Sequence, residues 1–394
     1  MAAIGGSTFQ VAVIGGGPTG TAAALAVAEA GFDTVLFAPP ARQPPGRTAA
    51  LFDGSIALLE ALELWPLVET EAAALCAIRI VDATRRLLRS PEVVFHASEV
   101  GLSAFGYNIP NAALVQGLAR RAQALPHLTV RTEPVRLIET GDDHVRIAPE
   151  TGQPLSVRLV IGADGAKSLA RRAAGIGVRS WSYRQSALVT TFAVEREHVD
   201  TSTEFHTENG PFTLVPLPGR RMSLVWVDRP HNLEAALSWQ AERFDAEVEK
   251  RAHALAGAMC ADSPRNLFPL QGSIADSFAG RRVMLVGEAA HAFPPIGAQG
   301  LNLGFRDVAA LTPVLKSFRE DPGQPGAIAA FHGARQGDVR SRTLAIDMLN
   351  RSLLTGFLPV QAARSFGLGL ADMVPLFRRM LIRQGLAQRI GLWD

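Results

Sequence analysis

Short, uninterrupted apolar runs recur at wide intervals along this chain: Val11, Val13 and Ile14; Asp33–Ala38 (DTVLFA); Leu159-Val160-Ile161; and Val283-Met284-Leu285-Val286. Runs of this length without polar alternation predict strands buried on both faces, as in a parallel sheet. The first leads into Gly15-Gly16-Gly17-Pro18-Thr19-Gly20 and then an alanine-rich helix that runs to about Glu29 and stops at Gly31. A different pattern fills the middle of the chain. Ala187–Val194, Glu204–His206, Phe212–Pro216 and Arg221–Val227 hold alternating or continuous apolar runs with Pro and Gly between them. They predict an antiparallel sheet inserted between halves of the first unit.

Smaller elements complete the pattern. Gly46–Leu51 follows a Pro-rich turn and opens a helical stretch, Ser55–Leu64. Ile78–Val81 and Leu87–Leu88 read as strands of a second sheet, and Asn111 as the cap of a helix over Ala112–Leu125. Leu128–Arg131, Pro134–Glu139 and His144–Ala148 read as a short meander. Leu237–Cys260 reads as one amphipathic helical region, and Arg335–Asp394 as a helical tail with Arg set among Leu, Phe and Met. The expected class is α/β: a Rossmann-like unit, an inserted antiparallel sheet and a helical C-terminal tail.

At 394 residues the chain accommodates two domains, or one with a large insertion. Its 47% apolar and 19% charged content fits a large core rather than disorder. A net charge of +2 makes no case for nucleic acid as a partner. Two cysteines, Cys76 and Cys260, predict neither a disulfide framework nor a zinc site and fit a reducing compartment. The uncharged run Val11–Ala28 has roughly the length of a membrane span. Three adjacent glycines followed by Pro18, with no Lys or Arg before them, predict a globular start instead.

The chemistry begins at Gly15-x-Gly17-x-x-Gly20, the spacing of a dinucleotide fingerprint. The first Gly permits a tight turn, the second lets backbone approach a pyrophosphate, and the third lets helix pack on strand. The phosphates would meet unpaired N–H groups at the helix start, where Pro18 suits the first turn. The acid that usually ends the second strand is replaced by Ala38, so the ribose needs another partner. Arg47 reads equally as a contact to a cofactor and as a solvated charge near a helix start. Asp164-Gly165 closes a strand where α/β sheets bind ligands, although by itself it reads as a turn. Glu288, again at a strand end, offers a carboxylate to polyol hydroxyls. The loop Gly297-Ala298-Gln299-Gly300-Leu301-Asn302 aims N–H groups and a helix start at its ligand, which suits a ring that becomes anionic on reduction. His291 by itself reads as a packing or capping residue.

In this order and at these separations, Gly15–Gly20, Arg47, Asp164-Gly165 and Gly287–Asn302 resemble the class A flavoprotein monooxygenases, single-component FAD hydroxylases. The resemblance covers nearly the whole chain. Gly46–Trp65, Gly287–Leu311, Arg335-x-x-Asp338, Thr343 and Asp347-x-Leu349-Asn350-Arg351 look like the ubiquinone-biosynthesis hydroxylase branch of that class. The resemblance implies that Gly15, Gly17, Pro18, Thr19 and Gly20 hold the ADP half of FAD. Arg47 would face the diphosphate or flavin, and Asn111 would supply a polar contact. Asp164 and Gly165 would belong to a motif associated with both FAD and NAD(P)H. Glu288 stands where the class usually has Asp on the ribityl chain. Gly297, Ala298, Gly300, Leu301 and Asn302 would contact the isoalloxazine, with Gly297-Ala298 reversing the usual order. FAD-binding segments are expected at 1–75, 97–185 and 276–335, substrate segments at 76–96 and 186–275, and a helical C-terminal region at 336–394.

The implied activity is an NAD(P)H- and O2-consuming aromatic hydroxylation through a flavin C4a-hydroperoxide, on a lipid-like prenylated phenol. NAD(P)H would dock transiently, and no catalytic acid or base is assigned. Companion expectations are a cytoplasmic protein peripheral at the inner face of a membrane through the apolar segment Phe366–Trp393, contact with a biosynthetic complex, and a homodimer. Two rivals stand beside this reading: a flavin-dependent reductase of isoprenoid chains, and a non-catalytic flavin-bound assembly subunit.

Overall fold

The four apolar runs lie side by side. The computed structural model describes residues 9–40, 46–86, 89–294, 296–354, 374, 376, 378–380 and 382. In it, Val11–Ile14 sits within a six-stranded sheet ordered Ala279–Gly280, Val283–Leu285, Leu159–Gly162, Val11–Ile14, Thr34–Phe37 and Leu128–Arg131. All neighbours are parallel except the first pair. Every residue of Val11–Ile14, Thr34–Phe37, Leu159–Gly162 and Val283–Leu285 is buried, which is why these strands lack polar alternation. The helix Pro18–Glu29 is buried from Gly20 to Ala28, and small side chains let it press against the sheet. Ile14, Gly162 and Leu285 lie level across the ladder, and Ile14 is level with Phe37. The turns that follow these strands therefore leave from one edge.

The second sheet runs in the order His291–Ala292, Asn266–Ala275, Val178–Val194, Arg221–Asp228, Gly210–Leu217, Thr201–Thr207, Ala77–Asp82 and Val93–His96. Strand alternation gives it two faces. On one, Leu188, Phe192, Phe212, Leu214, Leu224 and Trp226 pack against Leu233, Phe244 and Val248 of the helices Pro230–Leu237 and Ala241–Arg251. The other face turns toward the first unit. There the Thr48 hydroxyl donates to Ser223 Oγ (3.1 Å), and Asn108 Nδ2 donates to the Pro216 carbonyl (2.8 Å).

Several local expectations give way to long-range pairing. Thr48–Phe52 is a strand, not the opening of a helix, because it pairs with Gly106–Pro110; the helix that follows is Asp53–Ala61. Leu128–Arg131 leaves the expected meander and joins the parallel sheet beside Thr34–Phe37, since the helix Asn111–Ala124 carries the chain back across it. Val135–Thr140, Val145–Pro149 and Leu155–Val157 form a separate three-stranded sheet. The Leu237–Cys260 region breaks into the helix Ala241–Arg251 and the strand Met259–Ala261, with left-handed His253, Ala254 and Gly257 between them. Asn111 does not cap its helix: Pro110 occupies the cap position and Asn111 is the first helical residue. Leu87–Leu88 and most of Phe366–Trp393 lie outside the described residues. Among the described residues, the last long helix is Pro325–Leu354. Among the described residues, no helix is long and apolar enough to cross a membrane.

Candidate cofactor and substrate site

Three motifs far apart in the chain meet at the carboxyl edge of the parallel sheet, where α/β sheets bind ligands. They are Gly15–Gly20, Asp164-Gly165 and Gly287-Glu288. Gly15 adopts φ +118°, and a side chain there would overlap the Ala163 carbonyl. A side chain on Gly20 would overlap the Gly15 carbonyl oxygen, so helix and strand touch only because both residues lack one. Gly17 differs: a Cβ there would meet nothing within 4 Å. That open face lies at a helix start with no side-chain cap. First-turn N–H groups left in this state suit a pyrophosphate.

Thr19 locks the motifs together. Its side chain fills a notch between Gly287 and Gly304, and a Cβ on Gly287 would stand 3.1 Å from its methyl group. Asp164 plays a structural part. Its carboxylate accepts from the Ser168 hydroxyl, from Leu169 N (2.6 Å) and from Ala170 N (3.1 Å), capping the helix Leu169–Ala173. Arg171 in that helix is 5% exposed and donates to the carbonyls of Ala289 and Ala166, both at 2.7 Å. It thereby ties the Asp164 turn to the Glu288 turn. Glu288 itself is exposed and has no protein partner among the described residues.

Backbone geometry also shapes the loop Gly297–Asn302. Gly297 and Ala298 are both left-handed, at φ +63° and +53°, and the helix Gln299–Ser317 starts immediately after them. A Cβ on Gly297 or Gly300 would meet nothing within 4 Å, so this surface presents bare backbone. Leu301 is half-buried against the core. The Asn302 side chain is spent within the protein. Its Oδ1 accepts from Phe52 N (2.9 Å) and Ser55 Oγ (2.7 Å), and its Nδ2 donates to the carbonyls of Ala50 (2.8 Å) and Ala298 (2.7 Å). Only its backbone is available to a ligand, so the side chain clamps the loop to the strand Thr48–Phe52. At the neighbouring strand ends, Asn111 N donates to the Arg47 carbonyl (2.9 Å), and the exposed Arg47 guanidinium lies 5.1 Å from the Phe268 ring centre. Asn111 Oδ1 is buried without a partner, as fits a residue awaiting a donor from a ligand.

Beneath the Glu288 turn lies a charge network that the sequence reading did not assemble. Asp307, 1% exposed, accepts from Gly287 N (2.9 Å) and Arg335 Nε (2.7 Å), and its Oδ2 lies 2.7 Å from His291 Nε2. Burial pushes the Asp307 carboxyl up, but His291 and Arg335 hold it below the usual carboxylate range. Arg335 also meets Asp338 (2.9 Å), which Arg306 (2.8 Å) and Arg342 (3.0 Å) share. Burial again opposes ionisation, yet Arg335 and Arg306 bring the Asp338 carboxyl down to about 2. Arg342 reaches Gln299 Oε1 (3.1 Å), linking this network to the loop above. The spacing Arg335-x-x-Asp338 was visible in the sequence; that Arg335 reaches Asp307 and Asp338 reaches Arg306 was not.

The chain is similar to known proteins over nearly its whole length. The model of the "FAD binding domain" family matches residues 8–340. "Ubiquinone hydroxylase UbiL" of Rhodospirillum rubrum is 33% identical over 390 residues, covering 96% of this chain and 89% of its own. "3-demethoxyubiquinol 3-hydroxylase" of Escherichia coli is 31% identical, with 96% and 98% covered. Among solved structures, p-nitrophenol 4-monooxygenase PnpA from Pseudomonas putida superposes with a TM-score of 0.78 at 18% identity, covering 97% of this chain and 98% of its own. Klebsiella pneumoniae HpxO, solved with FAD and uric acid, gives 0.75 at 18%, with 96% and 98% covered. At such identities the structural likeness is one of fold.

Proposed function

The chain belongs to the FAD-binding-domain family and is an FAD-dependent monooxygenase; from that premise we propose that it hydroxylates the ring of a prenylated phenol in ubiquinone biosynthesis, with NAD(P)H as electron donor. FAD, when bound, supplies electron transfer from the nicotinamide to O2. The protein's own residues position the cofactor and exclude water. The Gly17 backbone and the start of Pro18–Glu29 would hold the diphosphate, with Arg47 and Asn111 beside it. Glu288 would accept from the ribityl hydroxyls. The bare backbone of Gly297, Ala298 and Gly300, with Leu301 and the Asn302 N–H, would line the ring and stabilise its reduced, anionic form. Asp164-Gly165 would shape the edge through its helix cap. The observation that carries the reading is the convergence of three glycine-bearing turns on one sheet edge, beside a second sheet that meets the same unit through Ser223 and Pro216.

Peripheral contact with a membrane belongs to the same proposal, since a prenylated substrate is a lipid. Leu344 (56% exposed) and Met348 (59% exposed) stand one turn apart on Pro325–Leu354, and Leu376 is 81% exposed. Co-sedimentation with liposomes tests this part, and a protein left wholly in the supernatant would remove it. The activity is tested by O2-dependent NAD(P)H oxidation by the purified yellow protein with prenylated phenols, followed by mass spectrometry. Gain of one oxygen atom supports the hydroxylase. Gain of two hydrogens supports an isoprenoid reductase, and no turnover with any phenol supports a scaffold.

A further inference from the structure

The sheet face that turns toward the cofactor unit carries a cross-strand row whose members are level by register: Val189, Val225, Thr213, Glu204 and Ile80. Val225 lies two residues beyond Ser223, so the row shares the face that meets Thr48 and Asn108. Val225, Thr213, Glu204 and Ile80 are all half-buried, whereas Leu224, Trp226, Leu214 and Phe205 on the helix-covered face are at most 2% exposed. These four side chains keep part of their surface accessible on the face that turns toward the cofactor unit. On one side of this face stand the strands Thr48–Phe52 and Gly106–Pro110. On the other, the helix Pro325–Leu354 is held over the same sheet by Tyr183 OH to Asp347 Oδ1 (3.2 Å) and Asn350 Nδ2 to Gln185 Oε1 (3.3 Å). The row ends in an apolar cluster where Ile78 and Ile80 pack with Phe95, Phe105 and Ile382.

Glu204 is the one titratable member of this row. His206, two residues on and on the same face, donates from Nε2 to Glu204 Oε1 at 2.8 Å; the two side chains are 6% and 19% exposed. Asp82, opposite His206 in the register, is committed elsewhere, accepting from Thr84 N, Thr84 Oγ1 and Ser90 N. Glu204 is therefore a partly accessible carboxylate, with Thr213 and Ile80 level beside it and an imidazole orienting one of its oxygens. We propose that Glu204 is the group that recognises the phenol hydroxyl and accepts its proton, with His206 as its positioning residue. This rests on the hydroxylase reading above. The phenol O–H bond breaks and the proton passes to the Glu204 carboxylate. The freed electron pair conjugates into the ring and makes its ortho and para carbons more nucleophilic. Oxygen and reducing equivalents come from the monooxygenase reaction itself.

The test uses the FAD-loaded enzyme with a prenylated phenol and its O-methyl ether. Wild type hydroxylates the phenol and binds it in preference to the ether. Glu204→Gln retains FAD and NAD(P)H-driven flavin reduction, loses on the order of 100-fold in hydroxylation kcat/KM, and loses the preference for phenol over ether. Glu204→Asp restores part of both. Hydroxylation at the wild-type rate by Glu204→Gln, or an unchanged phenol preference, overturns the proposal. Should Glu204→Gln fail to fold, a folded Glu204→Ala with unaltered preference overturns it equally. If wild type hydroxylates no phenol, the hydroxylase reading falls first, and that is seen before any variant is made.

Discussion

The two sheets present different kinds of surface. At the edge of the parallel sheet, contact is offered by backbone: Gly17, Gly297 and Gly300 present faces on which a Cβ would meet nothing. On the inserted sheet, contact is offered by side chains such as Glu204, whose neighbours Thr213 and Ile80 are brought in by register from other strands. Backbone recognition needs a conformation, and short stretches rich in glycine encode it. Side-chain recognition needs a neighbourhood, and only strand pairing creates that. The cofactor side also rests on a buried ionic base, Asp307 with His291 and Arg335, which has no counterpart among the described residues of the Val189–Ile80 row.

The comparison is broken most severely by attacking that base. Arg335→Met leaves Asp307 buried without its guanidinium, which costs about 3–5 kcal/mol; urea unfolding should show the loss, and an unchanged midpoint would refute the role. Next comes the contrast within the fingerprint. Gly15→Val forces the backbone away from Ala163, destabilises on the order of 3 kcal/mol and yields colourless protein. Gly17→Ala, with open space around it, should melt like wild type yet bind FAD roughly tenfold more weakly. Equal melting losses in the two variants would erase the distinction between packing glycine and ligand glycine.

A third prediction concerns acid. Asp338 has its carboxyl lowered from 3.8 to about 2 in the folded protein. Its contribution is therefore fully present above 3.8 and is lost as pH falls from there toward 2, a total of about 2 kcal/mol. Asp338→Asn should flatten that part of the stability curve, and a variant with the wild-type slope would show that the arginines around it matter little. The smallest effect is expected at Glu288. Its exposed carboxylate holds no protein group, so Glu288→Ala should leave the melting temperature alone and weaken FAD by about tenfold or less. Unchanged FAD affinity in a fluorescence titration would remove it from the ribityl contact.

How much was legible in the sequence follows the same division. The strands Val11–Ile14, Thr34–Phe37, Leu159–Gly162 and Val283–Leu285 were readable because burial on both faces leaves a run of apolar residues that needs no partner to be recognised. Thr48–Phe52 was misread because its partner, Gly106–Pro110, lies more than fifty residues away. Asn111 looked like a cap from its place before an apolar helix, whereas a proline in the extended conformation already occupied that position and left the amide oxygen unpaired. Asn302 looked like a ligand contact, and its side chain is in addition a clamp, its four hydrogen bonds reaching back across about 250 residues to Ala50, Phe52 and Ser55 as well as to Ala298.

By itself, then, the sequence determined the strand cores, the left-handed and bare-backbone turns and the family, since glycine spacing and apolar runs act through local sterics and burial. Tertiary structure alone decided which turns share an edge, that the side chains of Asp164 and Asn302 bind the protein's own backbone, that Asp307 gathers His291 and Arg335, and that Glu204 stands beside His206. Those outcomes depend on strand order and register, which bring distant residues within a few ångströms and which no local stretch of residues contains.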